Sequence, residues 1–367
     1  MNIYRLKNLK ELENIGATEF ANNLAMKKGR IFYFKINNLR LPAMHILKQE
    51  SISVGGDFIT PKEAILSQNK TYSGILIATQ SQLERIIQKC KIQDFGLKNI
   101  AKTLQTHIKN PDSKPKIMGI INITEDSFYE DSRIIKIDDI LQKVNKWIDL
   151  GVDIIDIGGV SSRPGSEFVD STIELNRIKE AIIALEDFTK KAVFSIDSYN
   201  FETIRFCLER GFRIINDVYS LKDERLISLA KEFQSDVVLM HNSWIYPHTK
   251  DNIILELDDF FTQKIELLDK YGIKNIILDI GFGFGKNKYE NLELIDNLEH
   301  FLHFGYRLLV GASRKTTIGE ILSKDATNRL SGTLALHQIA LNNGANIIRC
   351  HDVEEHLDMF KIINEFR

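Results

Sequence analysis

Cysteine and proline are scarce in this chain, with three Cys and six Pro among 367 residues. Cys90, Cys207 and Cys350 form neither a CxxC pair nor an even framework. That excludes a disulfide scaffold and leads to the expectation of a reduced, cytoplasmic setting. No run approaches ~18 consecutive apolar residues, so no membrane-spanning helix is expected. The opening MNIYRLKNLKELENIGATEF lacks the apolar stretch and small-residue cleavage site of a signal peptide. Nine histidines include no HExxH and no Cys/His cluster, so no zinc site is expected. What is present is ordinary for a globular chain: 43% hydrophobic and 27% charged residues. The length exceeds what one hydrophobic core usually serves, which points to one large domain or two.

The net charge of −2 conceals a split. Residues 1–115 carry 18 Lys+Arg against 9 Asp+Glu, and residues 116–367 carry 30 against 41. A basic N-terminal part raises nucleic-acid binding as an option. No RNP, zinc-finger or helix-turn-helix signature supports it, so the expectation is no nucleic acid and docking of two oppositely charged domains. Asn110-Pro111-Asp112-Ser113-Lys114-Pro115 reads as a linker, because proline fixes φ and restricts its predecessor. The expected layout is an N-terminal domain 1–110, a linker 111–115 and a second domain 116–367. The first reads as small and α+β, with strands at Ile31–Ile36 and Gly74–Ala78. Thr60-Pro61-Lys62-Glu63 and Ser81-Gln82-Leu83-Glu84 read as helix-opening capping boxes, and Gly55-Gly56-Asp57 as a tight turn.

Beyond residue 115 a rhythm sets in. Runs rich in Ile and Val lie at Ile117–Ile121, Val152–Ile157, Ala192–Ile196, Arg213–Ile215, Asp236–Met240, Asn275–Leu278, Leu308–Val310 and Asn346–Arg349. Amphipathic helix-length stretches such as Ile137–Leu150, Thr172–Leu185 and Asn291–Phe304 separate them. Runs apolar on both faces, alternating with helices, describe a parallel sheet. Eight such units fit a (β/α)8 TIM barrel, with an open doubly wound sheet as the competitor. Nearly every run ends in a polar or glycine-rich cluster: Asn122, Gly158-Gly159, Asp197, Asn216-Asp217, His241, Asp279, Ser313-Arg314-Lys315 and Arg349-Cys350-His351. In a barrel these clusters share the C-terminal rim, where catalytic groups are displayed.

The segments Met118–Phe128 (MGIINITEDSF) and Asp156–Gly165 (DIGGVSSRPG) resemble the first two signatures of dihydropteroate synthases. Ser195-Ile-Asp-Ser198, Ile215-Asn-Asp-Val218, Met240-His241, Asp279 with Gly281–Lys286, Ser313-Arg-Lys315 and Arg349-Cys-His-Asp352 match that family's later blocks in order. Residues 1–115 lie outside the resemblance. It implies condensation of 6-hydroxymethyl-7,8-dihydropterin diphosphate with 4-aminobenzoate, giving 7,8-dihydropteroate and pyrophosphate. A pterin-dependent corrinoid methyltransferase and a non-catalytic pterin-binding homologue are the alternatives. The first would lack the Asp-Ser-Phe and Ser-Arg-Lys blocks, and the second would show damaged ligands.

The resemblance implies pterin contacts at Asp197, Asn216, Met240, Asp279, Phe284 and Lys315. A reduced pterin shows an edge of alternating donors and acceptors, which buried carboxylates and amides can match. Helix capping is the plain alternative for each Asp or Asn. For pyrophosphate the implied contacts are Asn122, Ser162, Arg163, Arg349 and His351. Arg349 and His351 alternate about Cys350 and so share a strand face. Asn122 is the implied Mg2+ ligand. For aminobenzoate they are Phe128, Pro164, Lys315 and Thr316, and Asp126, Arg163 and Lys315 are the implied catalytic groups. Thr124–Arg133 and Ser161–Gly165 would be closing loops. Sulfonamides are implied as inhibitors and a homodimer as the assembly. Glu125, Val160, Ser162 and Ile280 depart from the family pattern, and so does the glycine-free stretch Tyr129–Arg133.

Overall fold

The computed structural model describes residues 3–6, 8–9, 11–66, 70–108, 114–123, 133–160 and 168–365. It divides into two compact units, 1–110 and 111–367. Among the described residues, no helix is long and apolar enough to cross a membrane.

The first unit is a three-stranded antiparallel sheet, β1 (Ile31–Leu39), β2 (Asp57–Ile59) and β3 (Tyr72–Thr79), in the order β1-β3-β2. The helix Gln80–Cys90 buries Leu83, Ile86, Ile87 and Cys90, one face at helical spacing, and the unit has its own apolar core. Three details differ from the expectations. β2 was not anticipated, because three residues carry too little periodicity to register. Thr60–Glu63 opens a 3-10 turn, Lys62–Leu66, rather than an α-helix. The second capping box is set by Thr79 and Gln82, whose side chains reciprocally bond the opposite backbone N–H, two residues earlier than read. The Gly55 turn is as expected, with φ +85°.

The second unit is a closed parallel barrel. Its strands are β4 (Lys116–Asn122), β5 (Ile154–Gly158), β6 (Val193–Asp197), β7 (Ile214–Asp217), β8 (Asp236–Met240), β9 (Ile276–Asp279), β10 (Arg307–Val310) and β11 (Ile347–Cys350). β11 pairs β4 and closes the ring. This is the (β/α)8 fold, and the open sheet is excluded. The stretch expected as one helix, Asn291–Phe304, is two: helix Lys288–Asp296 and 3-10 turn Leu298–Phe304. Asn297 breaks it, leaving helical geometry at φ −105° and ψ 23° while its amide donates to the Glu293 carbonyl.

The lumen explains where the site lies. Met118, Ile154, Ile214, Val238, Ile277, Leu309 and Ile347 pack together as an apolar layer inside the barrel. Side chains two residues apart on a strand share a face. One step toward the C-terminal rim therefore come Ile120, Asp156, Asn216, Met240, Asp279, Gly311 and Arg349. β6 contributes buried Ser195 and then Asp197. The strand period lifts a polar layer directly above an apolar floor.

Candidate active site

Arg349 organises the polar layer. Its Nε donates to Asp156 Oδ2 at 2.7 Å, and its Nη2 lies 2.6 Å from the same oxygen and 2.5 Å from Asp197 Oδ2. Asn216 Nδ2 also donates to Asp156 Oδ2, at 3.2 Å. Asp156 is fully buried, and its other oxygen, Oδ1, has no partner; nor has Ser195 Oγ below Asp197. Buried polar atoms are normally satisfied, and these two stand out beside the Arg349 cluster among the described residues. Burial pushes the Asp197 carboxyl up to about 7, against the pull of Arg349, with Asp156 adding to the rise. Burial also opposes the charge on Arg349, but the two carboxylates outweigh it and hold the guanidinium ionised.

A second group lines the adjoining wall. Asp279 Oδ1 accepts from the Gly281 N–H at 2.8 Å. Burial raises its carboxyl, while Lys315 works in the opposite direction. Lys315 Nζ donates to the Phe282 carbonyl at 2.5 Å and stands 4.3 Å from the centre of the Phe284 ring. Burial lowers the Lys315 amine to about 8, with Asp279 opposing. Met240 is buried at the end of β8, where its N–H donates to Ser220 Oγ at 2.7 Å. Gly281 has to be glycine: its φ is +63°, and a Cβ there would fall 1.9 Å from the His241 carbonyl oxygen. That close approach locks the loop after β9 onto the loop after β8.

At the rim, His351 is exposed as a residue, and its ring meets Ser313 Oγ through Nδ1 at 3.0 Å. Burial lowers its imidazole to about 4, and Arg349 adds to the shift, which favours the neutral ring near pH 7. Arg314, by contrast, turns away to clamp Asp352, with Nη2 2.6 Å from Oδ1 and Nε 2.9 Å from Oδ2. Asn122 and Thr316 are exposed at the ends of β4 and the start of helix Thr316–Leu322. Neither has a hydrogen bond to the polar layer among the described residues. Asp126, Phe128, Ser162, Arg163 and Pro164 lie outside the described residues. So do the two loops that carry them, apart from Arg133, which opens helix Arg133–Asp149.

Two residues were missed by the sequence reading. Asp156 was quoted as the start of a signature block but not as a ligand; its signal was the strand period, two before Gly158 on the lumen face. Lys286 is buried and donates to the carbonyls of His241 at 2.7 Å and Gly281 at 3.1 Å. Burial pulls its amine down to about 7. Nothing in a glycine-rich turn announces a buried ammonium holding carbonyls.

The family model described as "Pterin binding enzyme" matches residues 118–351, which contain every described member of this layer. The chain belongs to the pterin binding enzyme family. It is 37% identical over 259 residues to the dihydropteroate synthase of Escherichia coli K12, covering 68% of this chain and 91% of that protein. The Helicobacter pylori protein named bifunctional dihydropteroate synthase/dihydropteroate reductase is 45% identical over 359 residues, covering 96% of this chain and 94% of that protein. Among solved structures, Xanthomonas albilineans dihydropteroate synthase with 4-aminobenzoic acid superposes with a TM-score of 0.65 at 30% identity. That match covers 70% of this chain and 98% of that one. Within its family the chain therefore stands among the dihydropteroate synthases.

Proposed function

We propose that the barrel condenses 6-hydroxymethyl-7,8-dihydropterin diphosphate with 4-aminobenzoate. The observation that carries this reading is one lumen layer holding Asp156, Asp197, Asn216 and Asp279 against Arg349 and Lys315. The acidic and amide groups and the Lys315 donor suit a pterin edge, and Arg349 is the cation for an anionic leaving group. The pterin CH2–O bond breaks and its electron pair leaves with pyrophosphate. The aminobenzoate nitrogen then bonds to the CH2 carbon and loses one proton to water. A dissociative course suits this ring, which stabilises positive charge at CH2. The chain's part is to hold the pterin flat, to neutralise pyrophosphate through Arg349 and His351, and to orient the amine.

Mg2+ fits the residues present. Asn122 offers an exposed hard oxygen beside the lumen, and Mg2+ takes most of its remaining ligands from water and substrate phosphate. When bound, it supplies further charge neutralisation to the leaving group. Arg163, Ser162 and Asp126 are assigned to the diphosphate and the reacting centre by family likeness. Phe128, Pro164, Lys315 and Thr316 are assigned in the same way to aminobenzoate and to sulfonamides that compete with it. A cytoplasmic homodimer rests on the same likeness. The test is direct: purified protein with the pterin diphosphate, aminobenzoate and Mg2+ should release pyrophosphate and form dihydropteroate in equal amounts. No product from folded protein overturns the reading.

A second activity is supported by one specific observation. The bifunctional relative matches 96% of this chain and therefore extends through the N-terminal unit, whereas the E. coli synthase matches only 68%. We assign to the chain a reduction of 7,8-dihydropteroate, with the N-terminal unit required for it. A hydride reaches C6 and a proton reaches N5, reducing the C=N bond, with a reduced nicotinamide or flavin as donor. Product with the mass of tetrahydropteroate, formed only when donor is present, supports this; its absence with every such donor removes it.

A further inference from the structure

The spacing of histidines in the sequence gives no zinc signature, yet folding brings three metal-type donors together on the outer layer of the barrel. Helix Ile253–Tyr271 carries Asp258, and the 3-10 turn Leu298–Phe304 carries His300 and His303. A 3-10 helix repeats every three residues, so side chains at i and i+3 eclipse. This brings the two imidazoles to one side, edge to face, with ring centres 5.1 Å apart. Asp258 Oδ1 lies 3.0 Å from His300 Nε2 and 2.6 Å from His303 Nε2. All three donor atoms fall within 4.8 Å of one another, and this is the one such trio found among the described residues.

The trio is held in place by packing it does not itself provide. Phe261, from the same helix as Asp258, meets Phe301 and Phe304 edge-on at 5.6 and 6.0 Å. The donors are thus pre-positioned by an aromatic seam beneath them. Their side chains keep 27%, 28% and 14% exposure for Asp258, His300 and His303, enough for an ion to enter from solvent. The turn Leu298–Phe304 leads into the N-terminal end of β10, opposite the catalytic rim, so the trio is separate from the pterin site.

We propose that Asp258, His300 and His303 bind a divalent transition-metal ion of the Zn2+ or Ni2+ class, which clips helix Ile253–Tyr271 to the 3-10 turn. Two imidazole nitrogens and one carboxylate oxygen suit such borderline ions, whereas Mg2+ and Ca2+ favour oxygen alone. Bonds of about 2.0–2.2 Å to a tetrahedral Zn2+ place neighbouring donors roughly 3.3–3.6 Å apart. The His300–Asp258 spacing of 3.0 Å needs a few tenths of an ångström to reach this, and the His303–Asp258 spacing of 2.6 Å needs roughly twice as much. Both Nε2 atoms contact Asp258 Oδ1 in the metal-free chain, so binding the ion requires each imidazole to be neutral with its proton on Nδ1, any proton in excess going to solvent. Water completes the coordination, and the role is structural.

The test uses the full-length chain without a histidine tag, stripped with chelator and titrated with Zn2+, then Ni2+, against a chromophoric chelator. All three cysteines are buried, which keeps thiol background low. One saturable equivalent is expected, with a rise in the thermal midpoint and no competition from millimolar Mg2+. His303→Gln and Asp258→Asn should each lose that equivalent, with far-UV dichroism and synthase rate unchanged; His300→Gln replaces any variant that misfolds. Absence of saturable binding, or an equivalent that survives in the folded variants, makes the trio an ion-pair cluster only. Displacement by Mg2+ would equally overturn the assignment.

Discussion

Arg349 reaches across the barrel mouth to Asp197, Nη2 to Oδ2 at 2.5 Å, and the same guanidinium holds Asp156. The guanidinium thus bridges two buried carboxylates, with Asp156 Oδ1 left unpartnered among the described residues. In the proposed complex the pterin edge takes the carboxylates and the pyrophosphate takes the guanidinium.

Removing one member should cost binding without unfolding the barrel, whose floor is apolar. Asp197→Asn or Asp279→Ala deletes a charge-assisted hydrogen bond to the pterin, worth about 2–3 kcal/mol. Calorimetry with a pterin fragment should show affinity lower by roughly 30- to 150-fold at that cost. The same is expected of Asp156→Asn, whose free Oδ1 faces the lumen. Unchanged affinity in a folded variant would take that residue out of the pocket.

Arg349→Ala and His351→Ala test the opposite half of the substrate. Both should weaken the pterin diphosphate far more than the bare hydroxymethyl pterin. For His351 the anion should also draw a proton onto the ring, whose imidazole sits near 4 beforehand. A histidine NMR titration with pyrophosphate should move its apparent pKa upward. Equal loss for both ligands would assign these side chains to the ring pocket or to structure.

The barrel was legible in the sequence because each strand is a short β-branched run, buried on both sides, ending in a polar cluster. Asp197, Asn216, Asp279 and Arg349 were legible for the same reason, since they end those runs on the lumen face. Asp156 was not, because it sits mid-strand among Ile154, Ile155 and Ile157 and reads as an oddity rather than an end. The break at Asn297 was hidden because the apolar pattern continues through it into Leu298, Phe301 and Leu302. The Asp258–His300–His303 trio was invisible because its members come from two elements 42 residues apart.

Lys315 sets an alkaline limit. Its amine is depressed from 10.5 to about 8 by burial, so it loses its proton as pH rises through about 8. The donor to the pterin disappears with that proton. Through Lys315, pterin affinity should therefore fall as the pH rises above about 8. Lys315→Arg retains charge throughout, so the alkaline fall should vanish even if affinity is lower at every pH. A fall that persists unchanged in the arginine variant would assign it to another group.

The N-terminal unit provides the last test, because the two activities should separate when it is removed. The family match spans residues 118–351, and every synthase ligand assigned above lies between Asn122 and His351. The E. coli synthase matches this chain over only 68% of its length, so a synthase does not require a counterpart of residues 1–110. The barrel is closed and has its own core, independent of the core of the first unit. A fragment of residues 111–367 should therefore fold, release pyrophosphate at a rate close to that of the full chain, and fail to reduce dihydropteroate. Adding the separate 1–110 unit should restore reduction only at high concentration, where the two pieces meet. Both rates are read on one sample, pyrophosphate by a coupled assay and tetrahydropteroate by mass. Reduction by the fragment alone would move the second activity into the barrel. A folded fragment without synthase activity would show that the N-terminal unit contributes to the transfer itself.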